Sequence, residues 1–262
     1  MLRVRPLVHT SDIQGSVRFL RALGLRAAEA PDRSSKVLDA GSGRVALQSC
    51  EPHAREDGST ALAFEVSDVE EFARRTIEAG TGVVLSDEGH GRAGSVTAGD
   101  GTSFLAGVGP RDTGAPASPL AVLALWFTPD VDQGAQVLEN IGARPRISPV
   151  TGEWYDFSAK NGGLVAVHAG RRTAIGLAFE YDGDVRDLVA PLAAAGSSPW
   201  SSTRTTGGPW GCAPPGARRS ASTSGCGTSV PGCVESRAGG AGRDSATGRR
   251  TARRLTAGGG LL

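Results

Sequence analysis

Residues 7–24 read LVHTSDIQGSVRFLRALG, and this stretch decides the fold because it holds a strand, a helix cap, a helix and a helix stop in order. Asp12 can accept hydrogen bonds from the free N–H groups of a first helical turn. Gly24, twelve positions later, supplies the left-handed residue that ends a helix. The apolar residues between them keep helical spacing: Ile13, Val17, Leu20 and Leu23. The stretch therefore predicts a strand followed by a helix of about three turns.

The same pattern recurs three more times along the chain. An aspartate followed by a β-branched residue opens each copy, at Asp12-Ile13, Asp68-Val69, Asp130-Val131 and Asp184-Val185. Each copy closes on a glycine twelve positions after its aspartate, at Gly24, Gly80, Gly142 and Gly196. Self-similarity of this kind is typical of a repeated structural unit. The sequence therefore predicts four modules.

Strand-like runs surround each predicted helix. Before the helices they lie at residues 4–8, 61–66, 122–127 and 175–181, and the second and fourth are nearly the same text, ALAFEV against GLAFEY. After the first helix, three such runs follow at residues 25–28, 36–39 and 44–49. Each module therefore reads βαβββ, and we predict an α+β fold.

This order of elements resembles the vicinal-oxygen-chelate superfamily, which includes glyoxalase I, bleomycin-resistance proteins and extradiol dioxygenases. The resemblance rests on the strand–Asp–helix–Leu-Gly opening at residues 7–24, its recurrence at residues 126–142, and the Gly99-Asp-Gly101 turn. It covers residues 1–196 and implies that two modules form one curved sheet around a ligand cavity. We therefore expect a glyoxalase-like domain at 1–110 (modules 1–56 and 57–110), a linker at 111–119 and a second domain at 120–196.

The composition changes abruptly after Gly196. Residues 197–262 contain nine arginines, two acidic residues and only five Val or Leu, which is the composition of a disordered tail. Yet the second domain still needs three strands there. When residues 197–211 are back-translated with GC-rich codons and read one base earlier, they become VVAVVVDEDYGRSVG, which resembles VVLSDEGHGR at residues 83–92. We interpret this as a frameshift near codon 196, so that the fourth module is truncated or scrambled and 197–262 is an out-of-frame, disordered tail.

Composition also restricts the cellular setting and the partners. No apolar run approaches the ~18 residues that span a bilayer, and the first residues lack the apolar segment of a signal peptide. We therefore expect a cytoplasmic protein without a membrane partner. The basic tail could indicate a nucleic-acid arm, but an out-of-frame origin accounts for its charge, so we expect no nucleic-acid partner. A small-molecule ligand is the expected partner, and the sequence leaves the oligomeric state open.

The family resemblance also implies where a metal would bind. In the enzymes of this family four side chains hold a divalent metal, one from the first and one from the last strand of each module. In the first domain the aligned positions are Arg5, Ala61, Gln48 or its neighbour Leu47, and Leu105. In the second domain they are Leu123, Gly176 and His168 or its neighbour Val167, with the fourth in the tail. Neither domain assembles three ligands, so we expect no metal site and no cofactor; a divalent metal is not favoured.

Five residues are candidates for ligand binding, and no catalytic residue is assigned. The guanidinium of Arg5 could hold a carboxylate or phosphate, or Arg5 could be a solvated strand arginine. Gln48 and His168 take matching last-strand positions, where His168 could face the cavity or cap the strand end. Trp154 and Tyr155 offer flat apolar area with a polar tip, although packing against the other sheet is the commoner use of such residues.

Two functions of different classes follow from the resemblance. The first is small-molecule binding without a metal, as in the bleomycin-resistance proteins. The second is a metal-dependent lyase, isomerase or dioxygenase, in which the metal acts as a Lewis acid. The missing metal ligands favour the binding protein.

Overall fold

The computed structural model describes residues 1–28, 35–88, 91–115, 117–148 and 152–196, together with the backbone of three short strands at 199–200, 211–212 and 253–257. The remaining residues, and with them most of the expected tail, lie outside the described residues. In the described part of the chain no helix is long and apolar enough to cross a membrane.

Three of the four predicted modules, the first three along the chain, are present as βαβββ units. The first domain runs β1 (Leu2–Val4), β2 (Leu7–Thr10), α1 (Ile13–Ala22), β3 (Arg26–Ala27), β4 (Ser35–Asp39), β5 (Arg44–Ser49), β6 (Thr60–Ala61), β7 (Ala63–Val66), α2 (Val69–Glu78), β8 (Val83–Glu88), β9 (Gly91–Thr97) and β10 (Ser103–Val108). The segment predicted as the second domain, residues 120–196, contains β11 (Leu120–Thr128), α3 (Val131–Asn140), β12 (Arg144–Ile147), β13 (Trp154–Ser158), β14 (Leu164–Ala169), β15 (Ala174–Tyr181), a 3-10 turn (Val185–Leu188) and α4 (Val189–Ala194). The predicted tail contains β16 (Pro199–Trp200), β17 (Gly211–Cys212) and β18 (Arg253–Ala257). We use domain 1 and domain 2 as names for the segments 1–110 and 120–196. The α+β fold class is confirmed.

The predicted caps begin and end the helices. The carboxylate of Asp12 accepts a hydrogen bond from the Gly15 backbone N–H at 2.7 Å, and the three other aspartates cap their helical segments in the same way. The predicted stop glycines have positive φ angles, from 76° at Gly196 to 101° at Gly24. Local sequence therefore defines both ends of each helical segment.

The first strand of each module in domain 1 is broken, whereas the sequence predicts an unbroken run. Residues Leu2–Val4 pair with Ala63–Val66 in one five-stranded sheet, in the order β1-β7-β10-β9-β8. Residues Leu7–Thr10 pair with Thr60–Ala61 in the other, in the order β3-β4-β5-β2-β6. In module one the break includes Pro6, which has no N–H to donate to a ladder. In module two the break is at Leu62. The successive strands β1 and β2 thus pair antiparallel with β7 and β6, and this interrupted pair passes from one sheet into the other.

The helices cover one face of these sheets. On β5, for example, Val45 and Leu47 are buried in the main apolar core, whereas Arg44 and Gln48 point to the opposite side because side chains alternate along a strand. The main core continues from the first domain into the second. We call the sheet face away from the helices the inner face of each domain.

The two domains interlock through two tight turns. The turn before β5 pairs with β11, because Ser42 donates its N–H to the Leu120 carbonyl and accepts from the Val122 N–H. The turn before β14 reaches back to β1, where the Val4 N–H donates to the Gly162 carbonyl at 3.0 Å. Gly163 N–H donates to the Ser42 hydroxyl at 2.8 Å, which links the turns to each other.

Module four departs from the other three. In modules one to three the first and last strands pair in parallel, as in β2–β5, β7–β10 and β11–β14. The first strand of module four, β15, instead pairs antiparallel with β18, which comes from the tail. Part of the tail therefore forms a strand. This strand runs antiparallel to β15, whereas the last strand of each other module runs parallel to the first.

A frameshift near codon 196 remains our proposal for this departure. We expect DNA sequencing through codons 190–262 to reveal a single-base insertion or deletion relative to a frame that encodes β-branched strands after Gly196. An intact frame, combined with resistance of residues 200–262 to limited proteolysis, would show that the tail is native sequence.

Candidate ligand-binding site

The inner face of domain 1 carries a buried cluster of charged side chains. Arg3 donates to Glu65 at 2.8 Å, and Arg44 donates to the other oxygen of Glu65 at 2.9 Å. Arg44 also donates to Asp39 at 2.5 Å. All four side chains are less than a tenth exposed. We call these four residues, together with Arg5, the charged floor.

Arg5 completes the charged floor and is its most exposed member. Its Nε lies 3.4 Å from the Glu65 carboxylate, and its side chain is 29% exposed. Burial lowers the pKa of the Arg5 guanidinium, the charge of Glu65 raises it, and the charge of Arg44 lowers it further. Three guanidiniums thus face two carboxylates, which leaves the floor with one excess positive charge.

Arg3 and Arg5 differ in whether their guanidinium N–H donors are free to bind a ligand. The Arg3 guanidinium also donates to the backbone carbonyls of Pro110, Arg111 and Asn161, so the linker and a domain 2 turn cover it. Within the described residues the Arg5 guanidinium makes no hydrogen bond, and its buried Nε has no hydrogen-bond partner. Arg5 is therefore the member of the floor that can bind something else.

Gln48 lies on the same inner face, closer to its rim. It is paired in register with His9 on β2 and with Ser35 on β4, and it is partly exposed. It stands four residues after Arg44 along β5, about 13 Å at ~3.3 Å per residue. Gln48 therefore shares the inner face of domain 1 with the charged floor.

The charged floor does not fit the metal that the family resemblance implies. Arg5 occupies one of the four positions, its neighbours at Ala61 and Leu105 cannot ligate, and only Gln48 offers an oxygen. The two carboxylates nearby already accept hydrogen bonds from arginines. In the described part of the chain, no group of three or more His, Cys, Asp or Glu side chains is placed to hold a metal ion.

Domain 2 presents a different inner face at the equivalent positions. Leu7 pairs with Ala46 in domain 1 as Leu125 pairs with Ala166 in domain 2. Two residues earlier, the places of Arg5 and Arg44 are taken by Leu123 and Leu164. These leucines form a second apolar cluster, separate from the main core, with Leu125, Ala166 and Ala178. Of its metal positions Leu123 and Gly176 cannot ligate, so the residues described there do not fit a metal either.

An aromatic row crosses the inner face of domain 2. Trp154 and His168 are paired in register on β13 and β14, and their rings stack with centroids 5.9 Å apart and planes 17° apart. Phe127, on the next strand, lies 5.8 Å from His168. Two of the candidate ligand residues, Trp154 and His168, are therefore brought into contact.

Tyr155 lies on the other face of β13. Its hydroxyl donates to Asp132 of α3 at 2.9 Å, and the side chain packs against the main core. That hydrogen bond and the charge of Asp132 raise the pKa of the Tyr155 hydroxyl. Alternation along the strand thus separates Tyr155 from Trp154, and the structure places Tyr155 in helix packing rather than with the other candidates.

The domain 2 sheet is strongly curved. Arg146 on β12 and Glu180 on β15 form an ion pair at 3.1 Å, although their strands are first and fifth in the sheet order. In a flat sheet these strands would be about 19 Å apart, at ~4.8 Å between neighbours, which the two side chains cannot bridge. The curvature that the family resemblance implies is therefore present.

Sequence reasoning identified Arg5 but missed the rest of the charged floor. The signal for Glu65 was available, because a glutamate embedded between Phe64 and Val66 in a buried strand needs a partner. The repeated text ALAFEV and GLAFEY even places Glu180 at the same point of the second domain. What the sequence lacked was the register that brings Arg3 and Arg44 to Glu65 from other strands.

Two cavities lie at the domain junction, and each is lined in part by a member of the charged floor. One, of about 260 Å³, is lined mainly by polar groups that include Arg3, Ser42, Arg111 and Asn161. The other, of about 210 Å³, is lined by residues that include Arg26, Asp39 and Ser118. On the inner face of domain 1, Leu105 is 42% exposed.

Comparison with known proteins agrees with this architecture. Neither a protein-family profile nor a curated protein matches the sequence. Among solved structures, the 2,3-dioxygenase LapB from Pseudomonas sp. KL28 is similar with a TM-score of 0.55 and 12% identity, covering 78% of this chain and 83% of that one. The Mn(II)-bound glyoxalase from Novosphingobium aromaticivorans has a TM-score of 0.50 and 18% identity, covering 78% and 73%.

This chain has the vicinal-oxygen-chelate fold. A third similar structure, the halotolerant catechol dioxygenase BphC, has a TM-score of 0.50 and 12% identity and covers 76% of each chain. Identities this low show the fold and not the chemistry. The predicted resemblance is thus confirmed at the level of the fold, and function has to be argued from the side chains of the chain itself.

Proposed function

We propose that the chain is a small-molecule-binding protein of the glyoxalase and bleomycin-resistance type, and that it binds its ligand on the inner face of domain 1 without a metal. The charged floor carries this proposal. Arg5 takes a position that the family resemblance assigns to a metal ligand, and the charged floor around it carries one excess positive charge.

Electrostatics explains why a divalent cation is disfavoured there. Two like unit charges 4 Å apart repel by about 4 kcal/mol at an effective dielectric constant of 20, and a divalent ion doubles that. Glu65 cannot compensate, because it already accepts hydrogen bonds from Arg3 and Arg44. A single amide, that of Gln48, cannot compete with water and cellular chelators for a transition metal.

Elemental analysis tests the proposal on the purified full chain. We expect far less than one equivalent of zinc, nickel, manganese or iron after expression with each metal supplied in turn. The Gln48→Ala variant serves as the matched control and is expected to give the same low content. One equivalent of metal that is lost on Gln48→Ala would overturn the proposal in favour of a metal-dependent enzyme.

A further inference from the structure

The surface around Arg5 is apolar apart from the charged floor. Arg5 donates its backbone N–H to the Ala63 carbonyl, and Ala63 is paired in register with Leu105 on the next strand. Leu105 is paired in turn with Ser95, and Ser95 with Val84. Leu105 is 42% exposed and Val84 is 69% exposed, so this row offers apolar area to solvent beside Arg5.

The module on the other side of Arg5 continues the apolar surface. Leu7 follows two residues after Arg5 and is paired with Ala46 on β5 and with Ala61 on β6. Leu7 and Ala61 are partly exposed. Leu105 lies two strands from Arg5, about 10 Å at ~4.8 Å per strand. The Arg5 guanidinium thus stands within an apolar area about as wide as a fused aromatic ring system.

The charged floor has one excess positive charge, which favours a ligand with one anionic group. Arg3 and Arg44 are balanced by Glu65 and Asp39, to which they donate hydrogen bonds. Arg5 is left with the longest contact of the cluster, 3.4 Å to Glu65, and with free terminal N–H donors among the described residues. A planar guanidinium with two free donors suits a carboxylate or sulfonate, which accepts two parallel hydrogen bonds.

We propose that the inner face of domain 1 binds amphipathic monoanions, with the acidic head group on Arg5 and the apolar body over Leu7 and Leu105. This inference rests on the proposed function and adds the ligand class. Arg5 acts as the anion anchor, and the apolar rows contribute affinity by removing exposed side chains from water.

A pair of fluorescent probes separates the head group from the apolar body. The probe 1-anilinonaphthalene-8-sulfonate carries one sulfonate, and N-phenyl-1-naphthylamine has the same rings without charge. We expect the full chain to bind the anionic probe at least tenfold more tightly than the neutral one. We also expect decanoate to displace the anionic probe, and decanol at the same concentration to leave it bound.

Variants of two arginines test whether Arg5 causes the difference in affinity between the two probes. Arg5→Gln is expected to weaken the anionic probe at least tenfold and the neutral probe less than twofold. Arg5→Lys is expected to give an intermediate affinity for the anionic probe, because lysine keeps the charge but not the two parallel donors. Arg18→Gln removes the same charge from the exposed outer side of α1 and is expected to change neither probe. Because Arg5→Gln leaves two arginines facing two carboxylates, the fold is expected to be retained, and circular dichroism melts check this.

Each other outcome has a defined meaning. Equal affinity for both probes, or an anionic-probe affinity that is unchanged in Arg5→Gln, overturns the ligand class while metal-free binding still stands. Equal losses in Arg5→Gln and Arg18→Gln overturn it too, since the charge then acts from anywhere on the surface. Absence of binding for both probes, or one equivalent of bound metal, overturns the proposed function itself.

Discussion

Glu65→Gln is expected to destabilise the chain by about 3–5 kcal/mol, the range for removing one partner of a buried ion pair. Glu65 is 3% exposed and accepts hydrogen bonds from Arg3 and Arg44 on its two oxygens. Glutamine has nearly the same shape, so packing is retained and the charge alone is lost. The buried guanidiniums of Arg3 and Arg44 and the partly exposed one of Arg5 then face only Asp39, and the excess positive charge of the floor rises from one to two.

Urea denaturation followed by circular dichroism measures this loss against a surface control. Glu71 on α2 also binds two arginines, Arg74 and Arg75, whose hydrogen bonds lower its pKa to about 2. Those groups are exposed and screened by water, so Glu71→Gln is expected to cost much less than Glu65→Gln. Equal losses in the two variants would show that burial of the floor contributes nothing to stability.

A second variant tests whether charge excess causes the effect. In Glu65→Gln/Arg5→Gln one of the unbalanced guanidiniums is removed. The double variant is therefore expected to be more stable than Glu65→Gln alone. The coupling between the two side chains is the loss in the double variant minus the sum of the losses in Glu65→Gln and Arg5→Gln. If the losses simply add, then Arg5 and Glu65 do not share one electrostatic environment.

Local rules were sufficient to predict the fold. The aspartate cap, the helical spacing and the stop glycine are encoded within thirteen residues, and their fourfold recurrence defined the modules. The break at Pro6 also has a local signal, since proline cannot donate to a strand ladder, although the apolar pattern of residues 4–8 predicts one strand. What local rules could not supply was the pairing of strands about 60 residues apart.

The site was predictable only in part for the same reason. Arg5 is predicted from its spacing to Asp12, and Gln48 from the match between the strand that ends at Gln48 and the one that ends at His168; both are local signals. Trp154 and Tyr155 were grouped because they are adjacent, although period-two alternation sends neighbouring strand residues to opposite faces. The members of the charged floor come from four strands, so their association depends on register.

The interlocked turns between the domains make a glycine indispensable. Gly163→Ala is expected to destabilise the chain by about 2–5 kcal/mol for two separate reasons. The φ angle of Gly163 is 85°, a left-handed conformation that costs other residues about 1–2 kcal/mol. A Cβ on Gly163 would also lie 2.5 Å from the Cβ of the fully buried Val4, and overpacking of this kind costs about 1–3 kcal/mol.

Variants of two other glycines separate the backbone cost from the cost of the clash when all are measured by urea denaturation. Gly24 has a φ of 101° but no atom within 4 Å of an added Cβ, so Gly24→Ala isolates the backbone cost of about 1–2 kcal/mol. Gly82 has neither a positive φ nor a close neighbour, and Gly82→Ala is expected to leave the free energy of unfolding nearly unchanged. The cost of the clash with Val4 is the loss in free energy of unfolding in Gly163→Ala minus the loss in Gly24→Ala. If those two losses are equal, the turn can move away from β1, and the two domains do not depend on this contact.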